Sequence, residues 1–179
     1  MKTRHFFEYL PKRYDIRSER DQQVRNLVYG FKSGKSAACT FAAQAVSNFF
    51  VRSYGDRCNE YTLVCVPSSS NSAYRRRFSR FAAMVSDLCG VADAMTYVTI
   101  IGEKQPLHTS SCHFVCEDNY EVRVSADYFR GRKVIIFDDL ITTGRTARKF
   151  AAQLTAAGAE VIGGLFLAET FKVKKGGQL

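Results

Sequence analysis

Hydrophobic positions along this chain switch between a helical spacing and short continuous runs, and the switches outline alternating helices and strands. Val24, Leu27, Val28 and Phe31 recur at i, i+3, i+4 and i+7, which predicts a helix over 21–31 ended by Gly30 and Gly34. Phe41, Ala42, Ala45, Val46, Phe49 and Phe50 give one side of a second helix over 36–50. A polar loop over 53–59 leads to a strand at 61–66 that stops at Pro67. Tyr74, Phe78, Phe81, Val85 and Leu88 make the face of a helix over 74–88. A β-rich run follows over 94–101, a long polar stretch occupies 103–119, residues 120–124 alternate like a strand, and a turn spans 127–132. Val134, Ile135, Ile136 and Phe137 then form a continuous apolar run, the pattern of a strand buried on both faces of a parallel sheet. Ala147, Phe150, Ala151 and Leu154 predict a helix over 147–157, capped by Gly158, and 161–168 reads as the last strand. Residues 1–20, basic and aromatic without a clean period, read as an irregular cap or small hood, and 172–179 as a frayed basic tail. The alternation predicts one domain over 1–179: a three-layer α/β architecture with a mostly parallel, twisted sheet flanked by helices.

The chemistry concentrates behind the apolar run. Asp138 and Asp139 follow it directly, at the sheet edge where open α/β folds take their ligands. Thr142, Thr143, Gly144, Arg145 and Thr146 form a small, hydroxyl-rich turn that opens into a helix. Gly144 allows close backbone approach, and free amides with the helix dipole suit a phosphate. Two carboxylates beside a phosphate cradle call for a ligand with an anionic end and hydroxyls or a metal ion close by, such as a sugar phosphate. A second constellation follows the strand at 61–66. Ser68, Ser69 and Ser70 lie before a helix whose first turns hold Arg75, Arg76 and Arg77, cations that oppose the dipole unless an anion neutralises them.

The stretch 134–147 resembles the 5-phosphoribosyl 1-diphosphate (PRPP) signature of type I phosphoribosyltransferases. That resemblance implies that Asp138 and Asp139 bind the ribose 2′ and 3′ hydroxyls, and that residues 142–146 hold the 5′-phosphate. It also implies a pyrophosphate loop at Ser68, Ser69 and Ser70, often with a non-proline cis peptide, and Mg²⁺ bound mainly through PRPP. A flexible loop over 103–119 would close on the reaction, with Lys104 and His108 touching the diphosphate. Within that family the chain resembles the ComF-like branch, associated with DNA uptake, more than the purine or orotate enzymes. It shares Leu-Val-Tyr-Gly-Phe-Lys-Ser-Gly-Lys at 27–35, the strand ending Val66-Pro67, and Arg-Arg-Arg-Phe at 75–78. Two departures stand out: that branch commonly has an amino-terminal zinc ribbon, whereas the first cysteine here is Cys39, and it usually has Asn-Gln where Ser79-Arg80 stands. Thr142 occupies the place of the Asp that hypoxanthine-guanine enzymes use for proton handling, which speaks against 6-oxopurine salvage.

The resemblance thus implies transfer of a phosphoribosyl group to a nitrogenous base or amine with release of pyrophosphate, within nucleotide metabolism. The alternative of the same fold is a non-catalytic PRPP or nucleotide sensor, or a nucleic-acid-associated protein that contacts single-stranded DNA or RNA. A homodimer is expected by resemblance alone.

Composition trims these options. At 179 residues and 46% hydrophobic, the chain can bury its own core. A net charge of +9 suits a nucleic acid or a diphosphate equally. No run reaches the roughly 20 apolar residues of a membrane span, so a cytoplasmic location is the expectation. Of six cysteines, Cys39, Cys65 and Cys89 sit in apolar patterns as core residues. Cys112, His113 and Cys116 have no second ligand pair with zinc spacing. Gly30 to Ser36 imitates a Walker A loop but has three residues between its glycines where four are needed, and it follows a helix rather than a strand. Lys32 and Lys35 remain as basic groups beside a helix start.

Overall fold

Val134, Ile135, Ile136 and Phe137 are each at most 3% exposed, and they form the middle of a five-stranded sheet. The computed structural model describes residues 1–103 and 120–171. The sheet contains β1 (Lys2–Tyr9), β2 (Tyr61–Cys65), β3 (Ala92–Asp93), β6 (Lys133–Ile141) and β7 (Glu160–Thr170) in the order β1-β7-β6-β2-β3, every pair parallel. Two further strands, β4 (Val98–Ile101) and β5 (Glu121–Val124), pair antiparallel as a separate ribbon. Around them lie α1 (Glu19–Lys32), α2 (Ser36–Tyr54), α3 (Asn71–Cys89), the single turn α4 (Ala126–Phe129) and α5 (Arg145–Ala156). No helix among the described residues is long and apolar enough to cross a membrane.

The connections place the site. Helix α3 carries the chain from β2 outward to β3, while α5 carries it from β6 to β7 in the opposite direction. Parallel crossovers are right-handed, so these two helices cover opposite faces. The order reverses between β2 and β6, and a crevice opens there beyond the strands' carboxyl ends. Beneath it, Phe31 of α1, Phe78 and Phe81 of α3, and Phe137 of β6 pack as an aromatic cluster. Phe81 stacks on Phe137 at 4.2 Å, and Phe31 meets both edge-on at 5.3 and 5.8 Å. The cluster fixes the carboxyl ends of α1 and β6 against α3.

Several expectations are corrected. The irregular cap over 1–20 is a strand for Lys2–Tyr9, which pairs with β7 at the sheet edge. Its charged residues face solvent, as edge strands tolerate, so no buried period marks it. The polar loop over 53–59 is the end of α2 followed by a 3₁₀ turn, Gly55–Glu60. The run 94–101 stays out of the main sheet: β3 ends just before it, and its second half forms the ribbon. The turn over 127–132 begins as α4. The acids do not follow β6 but lie within it, since pairing with β7 continues to Ile141. No cis peptide occurs among the described residues, the serine loop included.

The turn from α1 to α2 rests directly on α3. Gly34 has φ +74°, and a Cβ there would lie 2.8 Å from the Arg76 carbonyl oxygen. Gly34→Ala is therefore expected to lower stability by about 1–3 kcal/mol through combined backbone strain and displacement of α3. Urea unfolding measures it, and an unchanged midpoint would show that the turn can lift off α3 without cost.

Candidate active site

Consecutive residues of a strand point to opposite sides, so the extension of β6 through the acids separates them. Asp139, two residues beyond Phe137, is 2% exposed and meets cations from the same helices that supply the aromatic cluster. Arg77 of α3 places Nη1 3.3 Å from Oδ2, and Lys32, the last residue of α1, places Nζ 4.0 Å from Oδ1. Asp138 is half-buried and lines a cavity of about 150 Å³ together with Leu140, Ile141, residues 142–147 and Phe166. The Asp139 amide donates to Asp138 Oδ1 at 2.8 Å, which fixes the first carboxylate beside the second.

Burial raises the pKa of Asp138, and the Asp139 carboxylate raises it further. Burial also raises Asp139, while Arg77 and Lys32 pull it back down. The two acids therefore differ in role: one faces an open cavity, and the other is enclosed with its countercharges.

The remaining cavity wall is a helix start without a cap. Gly144 takes the left-handed conformation (φ 68°, ψ 9°) at the N-cap of α5 and offers no side chain to the first amides. The Arg145 amide reaches the Thr143 hydroxyl only at 3.4 Å, and the Arg148 guanidinium donates to the Thr143 carbonyl at 2.7 Å. Thr142, Thr143, Arg145 and Thr146 are exposed. Thr142 and Thr170 share a hydroxyl hydrogen bond at 2.9 Å, which ties the turn to the end of β7. Amides, hydroxyls and the α5 dipole thus converge on the cavity that Asp138 lines.

The serine loop adjoins these groups across one strand pair. The Val66 amide donates to the Phe137 carbonyl at 2.8 Å, so residues 67–70 leave the sheet beside Asp138. Ser70 caps α3, its Oγ accepting from the Ala73 amide at 3.3 Å. Ser69 is exposed. Ser68 is buried, and its Oγ has no hydrogen-bond partner among the described residues. Its carbonyl accepts from the Tyr120 hydroxyl at 2.8 Å, which anchors the start of the ribbon strand β5 to the loop.

The three consecutive arginines of α3 divide. Arg75 and Arg76 are exposed near the helix start, whereas Arg77 turns inward to Asp139. Lys104 and His108 lie outside the described residues, as do Cys112, His113, Cys116 and all but the first residue of the 103–119 stretch. Pattern reading leaves two contributors unassigned, Lys32 and Tyr120. A signal for Lys32 exists in the sequence: it follows Phe31 of the helical stripe, and a carboxylate inside a buried strand requires a cation nearby.

The unfolded chain releases the Asp138 proton in the ordinary aspartate range, while the folded site keeps it to higher pH. The native state then binds more protons, so unliganded stability falls as pH rises through that interval. Asp138→Asn retains the acceptor for the Asp139 amide but removes the titration. Its stability relative to wild type is expected to increase from pH 4.5 to pH 8, read by urea unfolding at both values. A difference that stays constant with pH would contradict the burial of this carboxylate. As to kinship, a scan against protein-family models finds no match for this chain, and a search of curated proteins finds none either.

Proposed function

We propose that the chain is a PRPP-dependent phosphoribosyltransferase of the type I fold, ComF-like in pattern, that transfers a phosphoribosyl group to a nitrogenous base or amine and releases pyrophosphate. The observation that carries this reading is the cavity at the carboxyl end of β6, where Asp138 and the uncapped 142–147 turn share one wall. A ribose 5-phosphate needs both features within the length of one sugar.

In this reading the 5′-phosphate accepts hydrogen bonds from the α5 amides and the Thr143 and Thr146 hydroxyls. Asp138 accepts from a ribose hydroxyl, and the diphosphate lies toward Ser68, Ser69, Ser70, Arg75 and Arg76. The acceptor nitrogen forms a bond to the anomeric carbon as the carbon–oxygen bond to the diphosphate breaks, with the electron pair leaving on pyrophosphate. The protein contributes position and charge stabilisation rather than a covalent partner. Asp138, an oxygen donor on the cavity wall, fits Mg²⁺, which prefers oxygen ligands and keeps several waters. Bound with PRPP, the ion would neutralise the diphosphate as it departs.

Calorimetry with PRPP and Mg²⁺ tests the reading, together with a pyrophosphate-release screen over nucleobases and amines. Wild type is expected to bind, and Asp138→Asn to weaken binding by about 10-fold or more, the usual scale for losing a hydrogen bond to a charged group. Absence of binding by wild type, or equal affinity in the variant, would overturn it. Binding without pyrophosphate release from any acceptor would favour the sensor instead.

A further inference from the structure

Arg77 and Lys32 converge on one carboxylate from two helices, and that carboxylate is far more deeply buried than those of the surface ion pairs at Glu60 and Glu121. The Asp139 side chain is 3% exposed, that of Arg77 22%, and that of Lys32 37%. Among the described residues, Arg77 Nε and Asp139 Oδ2 are both buried without a hydrogen-bond partner, so the pair is held by charge rather than by ideal geometry. Arg77 also lies against the Phe78 ring at 5.5 Å. Taking the carboxylate out of water is costly unless countercharge is close, and removing one partner leaves the penalty standing. The cluster therefore binds three elements together at the floor of the crevice. It joins β6, which carries Asp138 to the cavity, to α3, whose first residues follow the serine loop, and to α1, whose following turn rests on Arg76 through Gly34. With both acids ionised, the formal charges of Lys32, Arg77, Asp138 and Asp139 sum to zero.

We propose that Lys32 and Arg77 are positioning residues for the PRPP site: they hold the Asp139 carboxylate between α1 and α3, fix the serine loop relative to the phosphate turn, and leave Asp138 alone to meet the ribose. This assignment rests on the phosphoribosyltransferase reading and refines it. Arg77 is withdrawn from the set of cations that face the leaving group, and Asp139 acts through its partners rather than on the sugar.

The test compares wild type, Lys32→Met, Arg77→Met, Arg77→Lys, Asp139→Asn and the double variant Arg77→Met with Asp139→Asn. Each is measured for PRPP affinity by calorimetry in Mg²⁺ and for stability by urea unfolding. Arg77→Met is expected to raise the PRPP Kd about 10- to 100-fold, and Arg77→Lys to recover at least part of that loss. The double variant should lose less than the two single losses combined, because the carboxylate that Arg77 neutralises is gone. A merely structural pair would shift unfolding midpoints and leave Kd within two-fold of wild type, and that result overturns the proposal, as does strict additivity in Kd. Should Arg77→Met fail to fold, Lys32→Met and Arg77→Lys carry the same comparison on less buried or more conservative changes. Wild type that does not bind PRPP sinks the phosphoribosyltransferase reading itself, whereas wild-type binding with unaffected cation variants sinks only the clamp.

Discussion

A strand buried on both faces can end in carboxylates only if each finds a way to keep or replace its water. In β6 the alternation of side chains assigns one solution to each acid. Asp138 turns to a cavity open enough to hydrate it or to admit a ligand. Asp139 continues on the side of Phe137 and requires cations inside the fold, which Arg77 and Lys32 supply at 3.3 and 4.0 Å. The aromatic cluster below makes that arrangement geometrically possible. Phe31 and Lys32 are adjacent on α1, and Arg77 and Phe78 are adjacent on α3, so the contacts that seat the two helices on Phe137 also deliver their charges to Asp139. Hydrophobic packing and charge neutralisation are thus one construction rather than two.

Much of this was legible in the residues. The helical stripes at 24–31 and 74–88 and the apolar run at 134–137 have unambiguous periods, and they correspond to α1, α3 and β6. The uncapped turn before α5 was legible too, because a glycine among threonines ahead of an amphipathic stripe has few other uses. Pattern fails where burial is slight or absent. Strand β1 is an edge with charged residues on its exposed positions, so nothing in it alternates against a core. The end of β6 was misplaced because acids are read as the end of a buried strand, whereas pairing to β7 carries the backbone through them. That shift of a few residues decides which way each carboxylate points. The partners of Asp139 stand far earlier in the chain, at Arg77 and Lys32, and are brought to it by tertiary packing that no local period encodes.

The dipole argument for an anion at α3 changes in the same way. Arg75, Arg76 and Arg77 in the first turns call for negative charge, but Arg77 is answered internally by Asp139. Two remain, Arg75 and Arg76, both exposed, on the helix that follows the serine loop. The electrostatic demand is smaller than the sequence suggests and better localised. It adjoins a loop whose Ser68 Oγ is buried without a partner among the described residues and whose Ser68 carbonyl is tethered to Tyr120.

Sites that must act on both ends of a ligand need their two halves held in register, and rigid elements do this better than loops. Here the phosphate turn is continuous with β6, and the serine loop is continuous with β2. The two strands pair residue for residue from Tyr61 opposite Lys133 to Cys65 opposite Phe137, and the Val66 amide adds one further bond beyond that ladder. Sliding one half past the other would break the ladder, and tilting α3 would strain the Asp139 cluster. The backbone thus sets the spacing along the strands, while the charge cluster sets the height of α3 above them. These constraints act in different directions, so together they define the crevice more sharply than either could alone.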